Sequence, residues 1–330
     1  MAGYNTIRGL RVKNLSADPA TPENGQVWYN STTGNLRVDG ILGTASWAAG
    51  GVMGTPVRSG VQAGTQTAAL QAGGFTDPST KYIATTQEYN GSSWANGGAL
   101  PTSVGDSSGF GTQTAALGAG GYGPSFPGGT ALNFSAEYNG SSWTAGNNVP
   151  VSVYSRYGVG TQTAGFIVGG RIVSETRSSV TSEYDGTNWS TGGALTTARS
   201  GLSGGGILTA AFAMGGSTGS DSNATEEYNG SSWTSVNNSN TARSYLAGAG
   251  TQTAGIAFGG NPNSVATELY DGTNWTSSSN LATGRGNINS ASASPNTAAL
   301  ASGGNNPGNS TNLTEEFTGA STQTKNLSTS

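Results

Sequence analysis

The sequence predicts an all-β chain: a β-propeller of six blades, each a four-stranded antiparallel sheet, preceded by a short attachment segment. Three observations lead there. A run ending in a glycine pair recurs six times, closing at Gly74, Gly121, Gly170, Gly216, Gly260 and Gly304, with 44 to 49 residues between copies. An aromatic residue follows each pair, at Tyr89, Tyr138, Tyr184, Tyr228, Tyr270 and Phe317, and in the first five copies a tryptophan comes five positions later. From Trp47, Trp94, Trp143, Trp189 and Trp233 to the next GTQTA-type run the distance is always 17 residues, and after Trp275 it is 19. A period of this length is one supersecondary unit stacking on its neighbours, so the repeats override the two domains that length alone suggests.

Within a unit, TAALQAGG alternates so that Ala68, Leu70 and Ala72 share one side of a strand, which Gly73 and Gly74 end. EYNGSSW reads as a hairpin turning at Asn90-Gly91, with Asp185-Gly186 and Asp271-Gly272 in later copies, dipeptides suited to a type I′ turn. Tyr and Trp then lie on adjacent strands, and a polar stretch returns the chain to the next unit. Such a sheet cannot bury both faces alone. A radial ring packs each sheet against the next, and the Ala and Gly of strand two leave room for a neighbour's large rings.

Composition is compatible with this. The chain has 55 Gly and only 9% charged residues, yet its 7 Trp, 12 Tyr and 8 Phe and its net charge of −4 separate it from disordered low-complexity sequence. No Lys/Arg run points to nucleic acid, and no apolar run is long enough to span a bilayer. The opening MAGYNTIRGLRVKNL lacks the apolar centre of a signal peptide, so Sec-type export is not expected.

The glycine pair, the Tyr and the Trp, joined by Arg199, Arg243 and Arg285 ten residues after their tryptophans, resemble kelch-type β-propellers over residues 41 to 322. Val57, Val104 and Val153 take the arginine's place in the first three copies, and Thr322 stands where the last Trp is due. The strand around Trp47 is expected to complete the last blade, made by residues 286 to 318. The alternative is an outer strand from Thr322 to Ser330 and a seventh, partial blade begun by the N-terminal piece. On the first reading residues 1–40 are the attachment segment and 41–330 the propeller.

Chemistry is constrained by what is missing. The chain has no His and no Cys, which removes Ser-His-Asp and Cys-His nucleophiles and the usual nitrogen and sulfur zinc ligands. Some kelch-type propellers are copper radical oxidases that use His and a Cys–Tyr crosslink, which this chain cannot supply. Glu88, Glu137, Glu183, Glu227 and Glu316 recur at one position, just before the aromatic residue, as structural acids do; a catalytic pair would depart from the repeat. No catalytic residue, metal or cofactor is expected.

Variation concentrates between the glycine pair and the following aromatic residue, where the separation runs 15, 17, 14, 12, 10 and 13. Those connections share one face of a propeller, and insertions on one face often mark the binding side. Phe75, Asp77, Lys81 and Tyr82, then Tyr122, Phe126 and Phe134, then Arg171, Glu175 and Arg177 are the candidate contact residues. Drift in solvated loops explains the same variation equally well.

In the N-terminal segment, GQVWYNSTTGNLRV reads as a hairpin with little core of its own, so Trp28 and Tyr29 are the candidate attachment residues. This piece, followed by near-identical Gly/Ser/Thr/Asn-rich units, resembles structural proteins of tailed bacteriophages, in particular fibre, tail or adhesin proteins. The resemblance implies a non-enzymatic virion component, anchored to other virion proteins through residues 1–40, oligomeric within the particle and presenting the propeller to a host-surface glycan or protein. A capsid decoration or tail accessory without a receptor is the first alternative, and a polysaccharide hydrolase the second.

Overall fold

A computed structural model of the chain describes residues 12–20, 25–77, 81–123, 130–172 and 176–326. They form strands, turns and loops, with no helix among the described residues. The chain falls into two units, Trp47–Thr318 and a smaller one of Met1–Ser46 with Gly319–Ser330.

The larger unit is a six-bladed β-propeller. Its first blade comprises Val61–Thr65, Ala68–Ala72, Thr86–Tyr89 and Trp94–Gly97, paired antiparallel in chain order. Blades two to five repeat this, starting at Ser108, Tyr157, Ser203 and Ala247. Blade six takes Asn289–Ser290, Leu300–Ser302 and Thr314–Thr318 from the end of the repeat and Ser46–Ala49 as its outer strand. Both ends of the repeat therefore meet in one sheet, and the described residues contain no seventh blade.

The tail beyond Thr318 does not serve as an outer strand of the ring. Ser321–Asn326 pairs antiparallel with Asn35–Gly43 in the smaller unit, whose sheet continues through Val27–Asn30 to Lys13–Leu15, the last pair parallel. A boundary at residue 40 thus misses the C-terminal strand. Trp28 is also not an attachment residue, because it is 0% exposed and its indole N–H donates to Asp18 at 3.0 Å. Asp18 also accepts from Asn30 at 2.8 Å and pairs with Arg37, so the segment has a core that its hairpin pattern did not reveal. Tyr29, one residue along the strand and on its other face, remains 40% exposed.

The Tyr-to-Trp hairpin is not a two-residue turn. Tyr89 lies opposite Trp94, which leaves a four-residue loop, and only Gly91 in it has a positive φ, 88°. Asn90 contributes its side chain instead: Oδ1 accepts the N–H groups of Ser92 at 3.0 Å and Ser93 at 2.9 Å. Asp185 does the same for Thr187 at 2.9 Å and Asn188 at 2.7 Å, which explains why Asn and Asp exchange freely at this position.

The core lies between blades. Each apolar cluster joins two of them, as Phe110, Leu117 and Ala119 of blade two meet Ile167 and Tyr184 of blade three. Glycine in strand two makes room: a Cβ on Gly165 would sit 2.4 Å from the Phe110 ring. Polar bonds repeat the same blade-to-blade step. The Tyr138 hydroxyl donates to Glu88 at 2.5 Å, Tyr89 to Glu316 at 2.6 Å and Tyr270 to Glu227 at 2.8 Å, and Tyr184 and Tyr228 reach Glu137 and Glu183 likewise. Burial and then the neighbouring carboxylate push the Tyr138 and Tyr228 hydroxyls up to about 12. The indoles of Trp47, Trp94, Trp143, Trp233 and Trp275 donate to Thr267, Thr314, Thr86, Thr181 and Thr225 of the preceding blade, at 2.9 to 3.1 Å. The glutamine of GTQTA is a third staple: Gln113 donates to the carbonyls of Ala69 and Tyr89 at 2.9 and 2.7 Å.

Two compensations within the repeat show that these residues act as pairs. Blade six has Phe317 where the others have Tyr, and blade five has Leu269 where the others have the accepting Glu. Arg199, Arg243 and Arg285 are buried and pair with Glu226, Glu268 and Glu315 at 2.9, 2.8 and 2.9 Å. Where Val57, Val104 and Val153 replace the arginine, the partner positions hold Gln87, Ala136 and Ser182. A buried charge left alone is costly, so the two members change together.

Candidate functional site

Successive strands reverse direction, so the connections from strand two to three emerge at the same end as those leading from one blade into the next. Backbone bridges tie the two sets together: Arg58 with Phe75, Gly105 with Tyr122, Tyr154 with Arg171, Ser200 with Ser217 and Gly286 with Asn305. This loop face carries most of the predicted contact residues.

Phe75, Tyr82, Tyr122 and Tyr154 form a continuous aromatic row across blades one to three, with ring centroids 4.9, 6.3 and 5.0 Å apart. Tyr154 was not anticipated. Phe75 and Tyr82 are each only 8% exposed and Tyr122 is half-buried, so the row is largely enclosed among the loops. Asp77 pairs with Arg58 and accepts the Ser310 hydroxyl at 2.7 Å, joining blade one to blade six. Burial acts to raise its carboxyl, but Ser310 and Arg58 outweigh that and hold it below the ordinary value. Arg171 donates to the Ser200 hydroxyl at 3.1 Å and Arg177 to the Ser217 carbonyl at 2.9 Å, both toward blade four.

Phe134 is not on this face, because it packs against the cluster of Val61, Val104 and Trp143 between blades one and two. The Lys81 backbone pairs with Thr76 in a short ribbon. Phe126 and Glu175 lie outside the described residues.

The feature that sequence reasoning missed lies on the propeller axis. Each blade contributes one residue at φ between 48 and 59°: Ser59, Asp106, Ser155, Gly201, Tyr245 and Asn287. Five of these are not glycine, an unusual run of left-handed residues. The N–H groups of five of them bond the equivalent carbonyl of the preceding blade: Asn287 donates to Tyr245 at 2.8 Å, Tyr245 to Gly201 at 2.7 Å, Gly201 to Ser155 at 3.0 Å, Ser155 to Asp106 at 2.9 Å and Ser59 to Asn287 at 3.2 Å. These residues and their followers line a cavity of about 60 Å³. Blades one to three contribute Gly60, Ser107 and Arg156 to its wall, and blades four to six contribute Leu202, Leu246 and Ile288.

Two charged groups in this lining are perturbed. Burial pushes the Asp106 carboxyl up to about 6, against the opposing pull of Ser59, Arg58 and Arg171. Burial alone pushes the Arg156 guanidinium down to about 9. Among the described residues that line the cavity, Asp106 is the single carboxylate. No group of three or more acids that could hold a metal ion occurs among the described residues.

The fold and this site define the class: a six-bladed, kelch-like β-propeller. Among 215 matching solved chains, the structure of YjhT is similar with a TM-score of 0.67 at 14% identity, covering 82% of this chain and 99% of that one. At that identity the likeness concerns the fold, which hosts many functions. No family model and no curated protein matches the chain.

Proposed function

We propose that the protein is a non-enzymatic structural component of a tailed-phage virion, attached through its N-terminal segment and presenting the loop face of the propeller to a host-surface glycan or protein. One observation carries the reading: the changes in loop length are concentrated in the strand-two-to-three connections, all on one face, while the rest of each unit, apart from the two extra residues between Trp275 and Ser294, keeps its spacing and its repeating interblade bonds. Variation on a fixed frame is how a scaffold acquires recognition. The smaller unit, with its own core around Trp28 and its exposed Tyr29, supports attachment that does not use the blade loops.

The test is electron microscopy of intact particles with an antibody against residues 60–330. Label at the tail tip is the expected result. Label over the head overturns receptor recognition and leaves the decoration reading, and particles without label overturn both.

A further inference from the structure

We infer that the axial cavity is a binding site for a small oxyanion, a carboxylate or phosphoryl group, with Arg156 as the cation that holds it. In blades four to six the buried arginine donates to two main-chain carbonyls and to a glutamate; Arg199, for example, bonds Gly215 and Ala224, both at 2.7 Å, and Glu226. Arg156 reproduces the first part from three residues further along the chain. Its Nε donates to Gly169 at 3.1 Å and its Nη2 to Val180 at 3.1 Å, the equivalents of Gly215 and Ala224. At the glutamate's position, however, stands Ser182, 3.5 Å from Nη2. Arg156 as a residue is 6% exposed, and no described carboxylate forms an ion pair with it.

The cavity wall beside it is short of partners in the same sense. Arg156 Nη1, Ser107 Oγ, Ser155 Oγ and Asn289 Nδ2 are buried and have no hydrogen-bond partner, and all four residues line this one cavity. Each of the four atoms can donate, which suits an acceptor-only guest. The acid in the lining, Asp106, is held by Ser59 and feels the charges of Arg58 and Arg171, and it does not pair with Arg156. A volume of about 60 Å³ suits one carboxylate or phosphoryl headgroup. An anion there would compensate a buried charge that the repeat elsewhere neutralises with its own glutamate. The inference does not depend on what the loop face recognises.

The experiment is calorimetric titration of the full chain with sodium acetate and, separately, inorganic phosphate, at fixed ionic strength and neutral pH. Saturable one-site binding of at least one anion is expected, and the stronger of the two identifies the headgroup. Arg156→Gln should weaken binding at least tenfold. Because that variant can fail to fold, Ser182→Glu provides a second arm: it keeps the arginine and restores the repeat's internal carboxylate, and it should weaken binding to a similar degree. Failure of both anions to saturate the parent chain overturns the site, as does parent-like binding by either folded variant.

Discussion

Blade five and blade six contain a natural experiment that can be reversed. At the other five joints a tyrosine hydroxyl donates to a glutamate of the preceding blade, and at this joint Phe317 faces the Leu269 position. Phe317→Tyr alone adds a hydroxyl to a side chain that is 0% exposed, without its acceptor, and should cost about 1–3 kcal/mol. Leu269→Glu alone replaces half-buried apolar surface with a carboxylate and should cost about 1 kcal/mol or more. Together they should form the 2.5–2.8 Å bond seen elsewhere, a hydrogen bond to a charged group worth about 1.5–3 kcal/mol. The expected coupling is near the lower end, about 1.5 kcal/mol, because the accepting glutamates are partly solvated. Equilibrium denaturation of the parent, both single variants and the double variant gives the cycle. Effects that add within about 0.5 kcal/mol would refute the claim that the two positions act as a unit.

Further expectations concern other parts of the ring. Trp189 is the one blade tryptophan whose buried indole N–H has no partner, since Ser135 stands where its neighbours have Thr and donates instead to Asn147. Ser135→Thr should raise stability by about 0.5–1.5 kcal/mol, read as a higher melting temperature. Arg199→Val should cost about 3–5 kcal/mol by leaving Glu226 buried and unpaired, whereas adding Glu226→Ala, which copies Val104 and Ala136 of blade two, should recover most of that loss in a denaturation cycle. Asp106 has a folded value of about 6, above the ordinary 3.8, so the folded state binds more protons between them. Its contribution to stability therefore falls as pH rises through that window, by no more than about 3 kcal/mol, and the fall should be absent from melting curves of Asp106→Asn.

The ring was legible because its determinants are periodic: glycine pairs, Tyr and Trp at fixed spacing specify both the strands and the surfaces that they share. The role of Asn90 was less legible, because the same dipeptide suits a two-residue turn or a four-residue loop closed by its side chain, and the register of Tyr89 on Trp94 decides between them. Trp28 was misassigned because its core comes from Asp18 and a sheet completed by the far end of the chain, which no local pattern contains. Phe134 was misplaced because a connection that leaves toward the loop face also dips into the interblade core. The axial cavity was overlooked for a different reason. Its residues lie twelve positions after each tryptophan, where spacing is constant and only the residue type changes, so no difference in length marks them.

The sheet of the smaller unit also fixes how its terminal strands carry force. Ser321–Asn326 and Asn35–Gly43 run antiparallel with Asn326 opposite Arg37, so the start of one strand and the finish of the other lie at the same end of the ladder. Tension applied between the two ends of the chain would open that ladder like a zip, one rung at a time, a weak mode of resistance.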